Sequence, residues 1–111
     1  MKKFLVAAAV AVSSMAANAA PTMNGVKVKG LVIDADPRGG VIIVTNNGKS
    51  TIDVKRTIVI MEGVTKCDTN SKPVTIKPGQ TVEIPEGDEC GLWASTAIWL
   101  ATPKGVIKQN W

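Results

Sequence analysis

Three observations predict an all-β fold, a single immunoglobulin-like β-sandwich of about seven short strands closed by one disulfide. Apolar residues recur with a period of two or in short runs, turn-forming residues separate them at regular intervals, and no segment carries helical periodicity. The two cysteines, Cys67 and Cys90, bracket a stretch of two of these runs. A small Greek-key or OB-like barrel is the alternative, because strand and turn signals define elements better than they define strand order.

The first predicted strand spans residues 23–33, where Val26, Val28 and Val32 alternate with Lys27 and Lys29 as on a half-buried strand. Residues 34–40 (DADPRGG) read as a polar turn, since Asp-Pro starts turns and the glycine pair tolerates positive φ. The run Val41, Ile42, Ile43, Val44 follows, and then Asn47-Gly48, the pair that best suits a type I′ hairpin. A two-residue loop there pairs Ile43 with Ile52 and Val41 with Val54 on the core face. The run from Ile58 to Met61 reads as a central strand, with Arg56 on the same inward parity and a bulge or a snorkelling guanidinium expected.

Between the cysteines, residues 73–76 and 81–84 are short strands joined through Lys77-Pro78-Gly79-Gln80. Pro then Gly suits a type II turn, which splays hairpin strands, so an arch or a loose hairpin is expected. Residues 91–102 form the longest predicted strand, with Leu92, Ala94, Thr96, Ile98 and Leu100 on one face and Trp93, Ser95, Ala97 and Trp99 on the other. A turn at Pro103-Lys104-Gly105 returns the chain, and a connection of four residues puts Ile107 and Trp111 on the Leu92 face. In an immunoglobulin-like order the third and sixth strands are antiparallel neighbours, which brings Cys67 and Cys90 to the same end.

The ends and the charge narrow the setting. Lys2 and Lys3, the apolar run 4–12 and Ala17-Asn18-Ala19 have the three-part pattern of a signal peptide, so residues 1–19 are expected to leave and 20–111 to form one domain. The apolar run is too short to span a bilayer, and no later segment approaches about 20 apolar residues. Periplasmic or secreted localisation through a bacterial export signal follows. An even cysteine pair in such a setting is a disulfide, and closing a loop of about 24 residues contributes about 3 to 4 kcal/mol. Of the 13 basic residues two lie in the leader, so 11 face 9 acidic residues in the remainder, a balance of +2. Without a basic run or interleaved aromatics, nucleic acid is not an expected partner.

The chain has no histidine, which excludes His-dependent triads, cupredoxin copper sites and His-based zinc sites. The paired carboxylates at Asp34 and Asp36 sit in what reads as a polar turn, without the raised pKa that acid catalysis needs. No enzyme activity and no cofactor are expected. Two constellations remain. The disulfide would bring Asp68 and Asn70 beside Glu86, Asp88 and Glu89, a set of oxygens that could meet a partner or hold calcium, against the plainer reading of two solvated acidic turns. Trp93 and Trp99 could stack on sugars or anchor a protein partner, although core burial competes for both. Lysines on the first and last strands, Lys27, Lys29, Lys104 and Lys108, are charges that discourage edge pairing. The expected class is a non-enzymatic protein-binding, cell-surface or fimbria-assembly module of the bacterial envelope, contacting another envelope or extracellular protein. The alternatives are a carbohydrate-binding module using an exposed Trp and a small secreted inhibitor of an extracellular or periplasmic enzyme.

Overall fold

A computed structural model describes residues 20–62, 65–87 and 90–111. The expected signal peptide and the acidic residues Asp88 and Glu89 lie outside the described residues. The chain forms strands β1 (Thr22–Met23), β2 (Val26–Lys27), β3 (Leu31–Asp36), β4 (Val41–Asn46), β5 (Ile52–Val54), β6 (Arg56–Met61), β7 (Thr65–Asp68), β8 (Val74–Ile76), β9 (Thr81–Pro85), β10 (Ser95–Thr102) and β11 (Gly105–Asn110). Antiparallel pairing sorts them into a six-stranded sheet of order β2-β1-β11-β10-β6-β7, a three-stranded sheet of order β3-β4-β9, and the pair β5-β8. The result is a small all-β sandwich with one disulfide. No described helix is long and apolar enough to cross a membrane.

The core is aliphatic. Leu31 and Ile33 of β3, Ile42 and Val44 of β4 and Ile84 of β9 join Val59 of β6, Ile98 and Leu100 of β10 and Ile107 of β11 in one buried cluster. Val54 and Ile76, from the β5-β8 pair, belong to it, as do Cys90 and Leu92. Each such side chain contributes about 1.5 to 3 kcal/mol by leaving water, which is how a small domain without large aromatic core residues holds together.

Several expected features change. The stretch 23–33 is not one strand. Asn24 and Gly25 take φ of 55° and 83°, and Met23 pairs with Val26, so the type I′ hairpin of this chain sits here. A second turn at Lys29-Gly30, with Gly30 at φ 83°, resets the phase. Leu31 and Ile33 therefore point inward, while Val26 and Val32 are exposed. β3 continues through Asp36, whose Oδ1 accepts from the backbone N–H groups of Arg38 (3.1 Å) and Gly39 (3.2 Å), so the turn occupies only residues 37–40.

The Asn47-Gly48 hairpin is not formed, and neither residue takes the positive φ it needs. β4 pairs with β3 and β9, so Ile43 lies beside Asp34 and Glu83 rather than Ile52, and Val41 lies beside Asp36 and Pro85 rather than Val54. The inward face of β4 is Ile42, Val44 and Asn46, the reverse of the expected one. Asn46 explains the difference: it is only 2% exposed, donating from Nδ2 to the carbonyls of Ser50 (2.8 Å) and Ile76 (2.9 Å) and accepting at Oδ1 from Gly48 N–H (3.0 Å). A polar residue satisfied in the core releases the chain toward β5, which pairs with β8. On β6, Thr57 and Val59 are inward. Arg56 points out and pairs with Asp68 at 3.1 Å, because the strand breaks at Lys55, whose N–H bonds to Ala101 O at 2.8 Å.

Other expectations hold. β8 and β9 belong to different sheets, and Gly79 at φ 87° with a Gln80 N–H to Lys77 O bond (3.0 Å) makes the type II arch. β6 and β10 are antiparallel neighbours, with Val59 beside Ile98. The β10–β11 connection is shorter than expected, a two-residue loop at Pro103-Lys104 because Thr102 pairs with Gly105, but Leu100 still meets Ile107 on the core face. Trp111 is an anchor: its N–H bonds to Thr96 O and its Nε1 to Ser95 Oγ, both at 3.0 Å. A 3-10 turn at Leu92–Ala94 and a bulge between Ser95 and Ala97 break the alternation of β10, so Leu92, Ile98 and Leu100 are buried while Ala94 and Thr96 are exposed.

Candidate functional site

The segment after β9 is held at successive points. Glu86 N–H donates to Gly40 O at 3.0 Å, at the β3–β4 turn. Gly87, at φ 80°, lies so close to Thr69 O that a Cβ there would stand 2.9 Å from it. Cys90 is joined to Cys67 on the edge strand β7, with the Cα atoms 5.6 Å apart, as expected. Leu92 is buried, and its N–H donates to Glu86 Oε2 at 3.1 Å. Ala94 N–H bonds to Gly91 O at 3.1 Å, and Ser95 Oγ donates to Leu92 O at 2.7 Å while receiving the Trp111 indole.

Trp93 stands in the middle of this scaffold and is 76% exposed. Backbone bonds, a buried neighbour and a nearby disulfide fix the turn that carries it, so the indole projects from a rigid base and would lose little freedom on contact. A side chain this exposed does little for folding. The core role that competed for Trp93 in the sequence is therefore excluded, since the 3-10 turn swings it out of the strand.

Trp99 is different. It is half-buried on β10 beside Lys108 and Ile58, with the ammonium groups of Lys108 and Lys66 at 4.3 Å and 5.0 Å from its ring centroid. Cation–π contacts of this kind contribute about 0.5 to 1 kcal/mol at partly exposed sites. They also occupy the ring.

Two members of the acidic set, Asp68 and Glu86, are employed inside the molecule. Asp68 pairs with Arg56 through Oδ2 and accepts from Asn70 N–H (2.9 Å) through Oδ1, with Asn70 at φ 57° closing the turn. Glu86 caps the Leu92 turn. Asp88 and Glu89 lie outside the described residues, and among the described residues no three His, Cys, Asp or Glu side chains gather as a metal site. Asp34, expected in a solvated turn, lies instead on β3, where partial burial pushes its carboxyl pKa up by desolvation.

The opposite end of the sandwich holds a feature that the chain order conceals. The β1–β2 hairpin, residues 46–51 and the β10–β11 tip enclose a cleft of about 630 Å³ rimmed by Lys27, Lys29, Lys49 and Lys104. Three of these lysines looked like edge charges, and Lys49 carried no signal until the topology brought its loop alongside. Lys108, the fourth expected edge charge, serves Trp99 instead. Comparison with protein-family models, with curated proteins and with solved structures finds no match to this chain.

Proposed function

We propose that the chain is an exported, non-enzymatic β-sandwich that binds another envelope or extracellular protein through Trp93, in the class of protein-binding, cell-surface or fimbria-assembly modules. The observation that carries this reading is the pinned turn presenting a 76% exposed indole. Trp is enriched among residues that dominate binding energy, and a rigid base lowers the entropic cost of using it. The absence of histidine removes most catalytic alternatives, which supports a binding role.

A carbohydrate-binding module would use the same indole as a stacking platform, and a secreted-enzyme inhibitor would present the same loop to an active site. One experiment separates them. The protein is immobilised and exposed to periplasmic extract and culture medium, in parallel with its Trp93→Ala variant and with soluble oligosaccharides as competitors. The reading expects a protein retained by the parent, lost with Trp93→Ala and not displaced by sugar. Equal recovery on both forms overturns it, elution by sugar favours the carbohydrate module, and capture of a hydrolase whose activity falls on binding identifies the inhibitor.

A further inference from the structure

The lysine-rimmed cleft is built from loops that lock one another in place. Asn47 N–H bonds to Gly30 O at 2.7 Å, and Gly30 is packed so tightly that a Cβ would fall 2.6 Å from Gly48 N. Gly48 in turn approaches Lys29 O, where a Cβ would stand at 2.9 Å. Asn24 Nδ2 donates to Lys104 O at 3.1 Å and ties the β1–β2 hairpin to the β10–β11 tip. The buried side chain of Asn46 holds the loop that carries Lys49. These contacts fix the frame before any ligand arrives.

The chemistry of the frame has two parts. Four ammonium groups face a single carboxylate, Asp53, whose Oδ1 already accepts from Thr75 Oγ1 at 2.9 Å. Between them the lining is mainly apolar, with Val26, Val28, Ile52 and Ile107 set among the polar Asn47, Ser50, Thr51 and Thr102, and Val26 is 69% exposed. A volume of about 630 Å³ lies within the range of small-molecule sites. A simple inorganic anion would use the charges and leave the apolar walls wet. A neutral apolar molecule would use the walls and leave the lysines idle. None of the tryptophans lines the cleft, so base stacking has no platform.

We propose that this cleft binds a single-chain anionic amphiphile, its carboxylate, sulfate or phosphate head among Lys27, Lys29, Lys49 and Lys104 and its aliphatic chain against Val26, Val28 and Ile52. The lysine stems extend the apolar wall while their heads remain in water, which suits a ligand with the charge at the rim and the chain within. This site is distinct from Trp93, which precedes β10, whereas Thr102 at the far end of that strand lines the cleft. Eight strand residues separate the two by roughly 25 Å.

The test is calorimetric titration and amide chemical-shift mapping of the intact protein with dodecyl phosphate below its micellar concentration, inorganic phosphate, dodecyl maltoside and phosphatidylglycerol vesicles. The expected result is saturable one-to-one binding of dodecyl phosphate, with shifts confined to residues 26–30, 47–52 and 104. Inorganic phosphate and dodecyl maltoside should each bind at least tenfold more weakly. The triple variant Lys27→Gln, Lys49→Gln, Lys104→Gln should weaken dodecyl phosphate at least tenfold while melting like the parent, because all three side chains are exposed. Val26→Ser should weaken it without altering the salt dependence. Equal affinity for inorganic phosphate, or binding that survives the triple substitution, overturns the proposal. So does binding to vesicles alone, which would make the patch a membrane-surface contact.

Discussion

Asn46→Ala removes a side chain that three backbone groups depend on. The Ile76 carbonyl is buried at this point, so losing its 2.9 Å donor costs about 1 to 3 kcal/mol. Gly48 N–H, in a partly buried loop, loses its acceptor and adds about 1 kcal/mol. The Ser50 carbonyl is near solvent and adds little. The sum is about 3 kcal/mol, a large share of the roughly 5 to 15 kcal/mol that a domain has. With a urea slope of about 1.3 kcal/mol/M for this size, the unfolding midpoint followed by tryptophan fluorescence should fall by about 2 M. Asn47→Ala is the control, since that side chain is exposed. It should change stability by about 0.5 kcal/mol or less. If Asn47→Ala proves the more damaging of the two, the reasoning is wrong and the hairpin at Asn47-Gly48 is restored.

Four other outcomes follow from the same structure. Unreduced protein should show no free thiol on alkylation and mass measurement, and the Cys67→Ala, Cys90→Ala double variant should lose about 3 to 4 kcal/mol in chemical denaturation. Trp99→Ala should lower stability by about 2 kcal/mol through lost packing and two cation–π contacts, while Trp93→Ala stays within about 0.5 kcal/mol, a contrast read directly from melting curves. Glu86→Ala should destabilise by about 1 kcal/mol, because it uncaps the Leu92 turn, so it should not behave as a silent surface change. Asp34→Asn should raise the melting temperature at neutral pH. Its folded pKa lies above the unfolded one, so the desolvation penalty is complete above the folded pKa, is relieved as pH falls through it, and is gone below the unfolded value. The gain from Asp34→Asn should therefore vanish in acid, and a gain that persists there would rule out ionisation as its cause.

What could be read from the sequence depended on whether the signal was local. The Pro78-Gly79 arch and the placing of Ile107 on the Leu100 face follow from residue chemistry within a few positions, the Cys67–Cys90 bond follows from there being just one pair of cysteines, and each is in the structure. The hairpin was misplaced because two Asn-Gly pairs compete for one signature. Asn24-Gly25 has strands free to pair on both sides, whereas β4 is paired along both edges, with β3 before it and with β9 far along the chain, which leaves no place for β5. The inward face of β4 was misjudged because Asn46 counts as polar in any periodicity, yet its burial is satisfied by a carbonyl 30 residues away. The exposure of Trp93 was hidden by the 3-10 turn at Leu92–Ala94, held by Glu86 and Ser95. No alternation pattern encodes that turn. The lysine cleft was invisible for a related reason, since its rim joins three separate turns that only the sheet order brings together.

The central claim is that Trp93 is the contact residue of a binding module, and the affinity of the captured partner for parent and variants tests it most directly. Titration calorimetry should show Trp93→Ala weakening the complex by at least about 2 kcal/mol, roughly thirtyfold, as loss of a central indole does. The variant should melt with the parent, and Trp99→Phe should bind within about threefold of it. Parent-like affinity in Trp93→Ala, with the loss appearing in Trp99→Phe instead, would contradict the account.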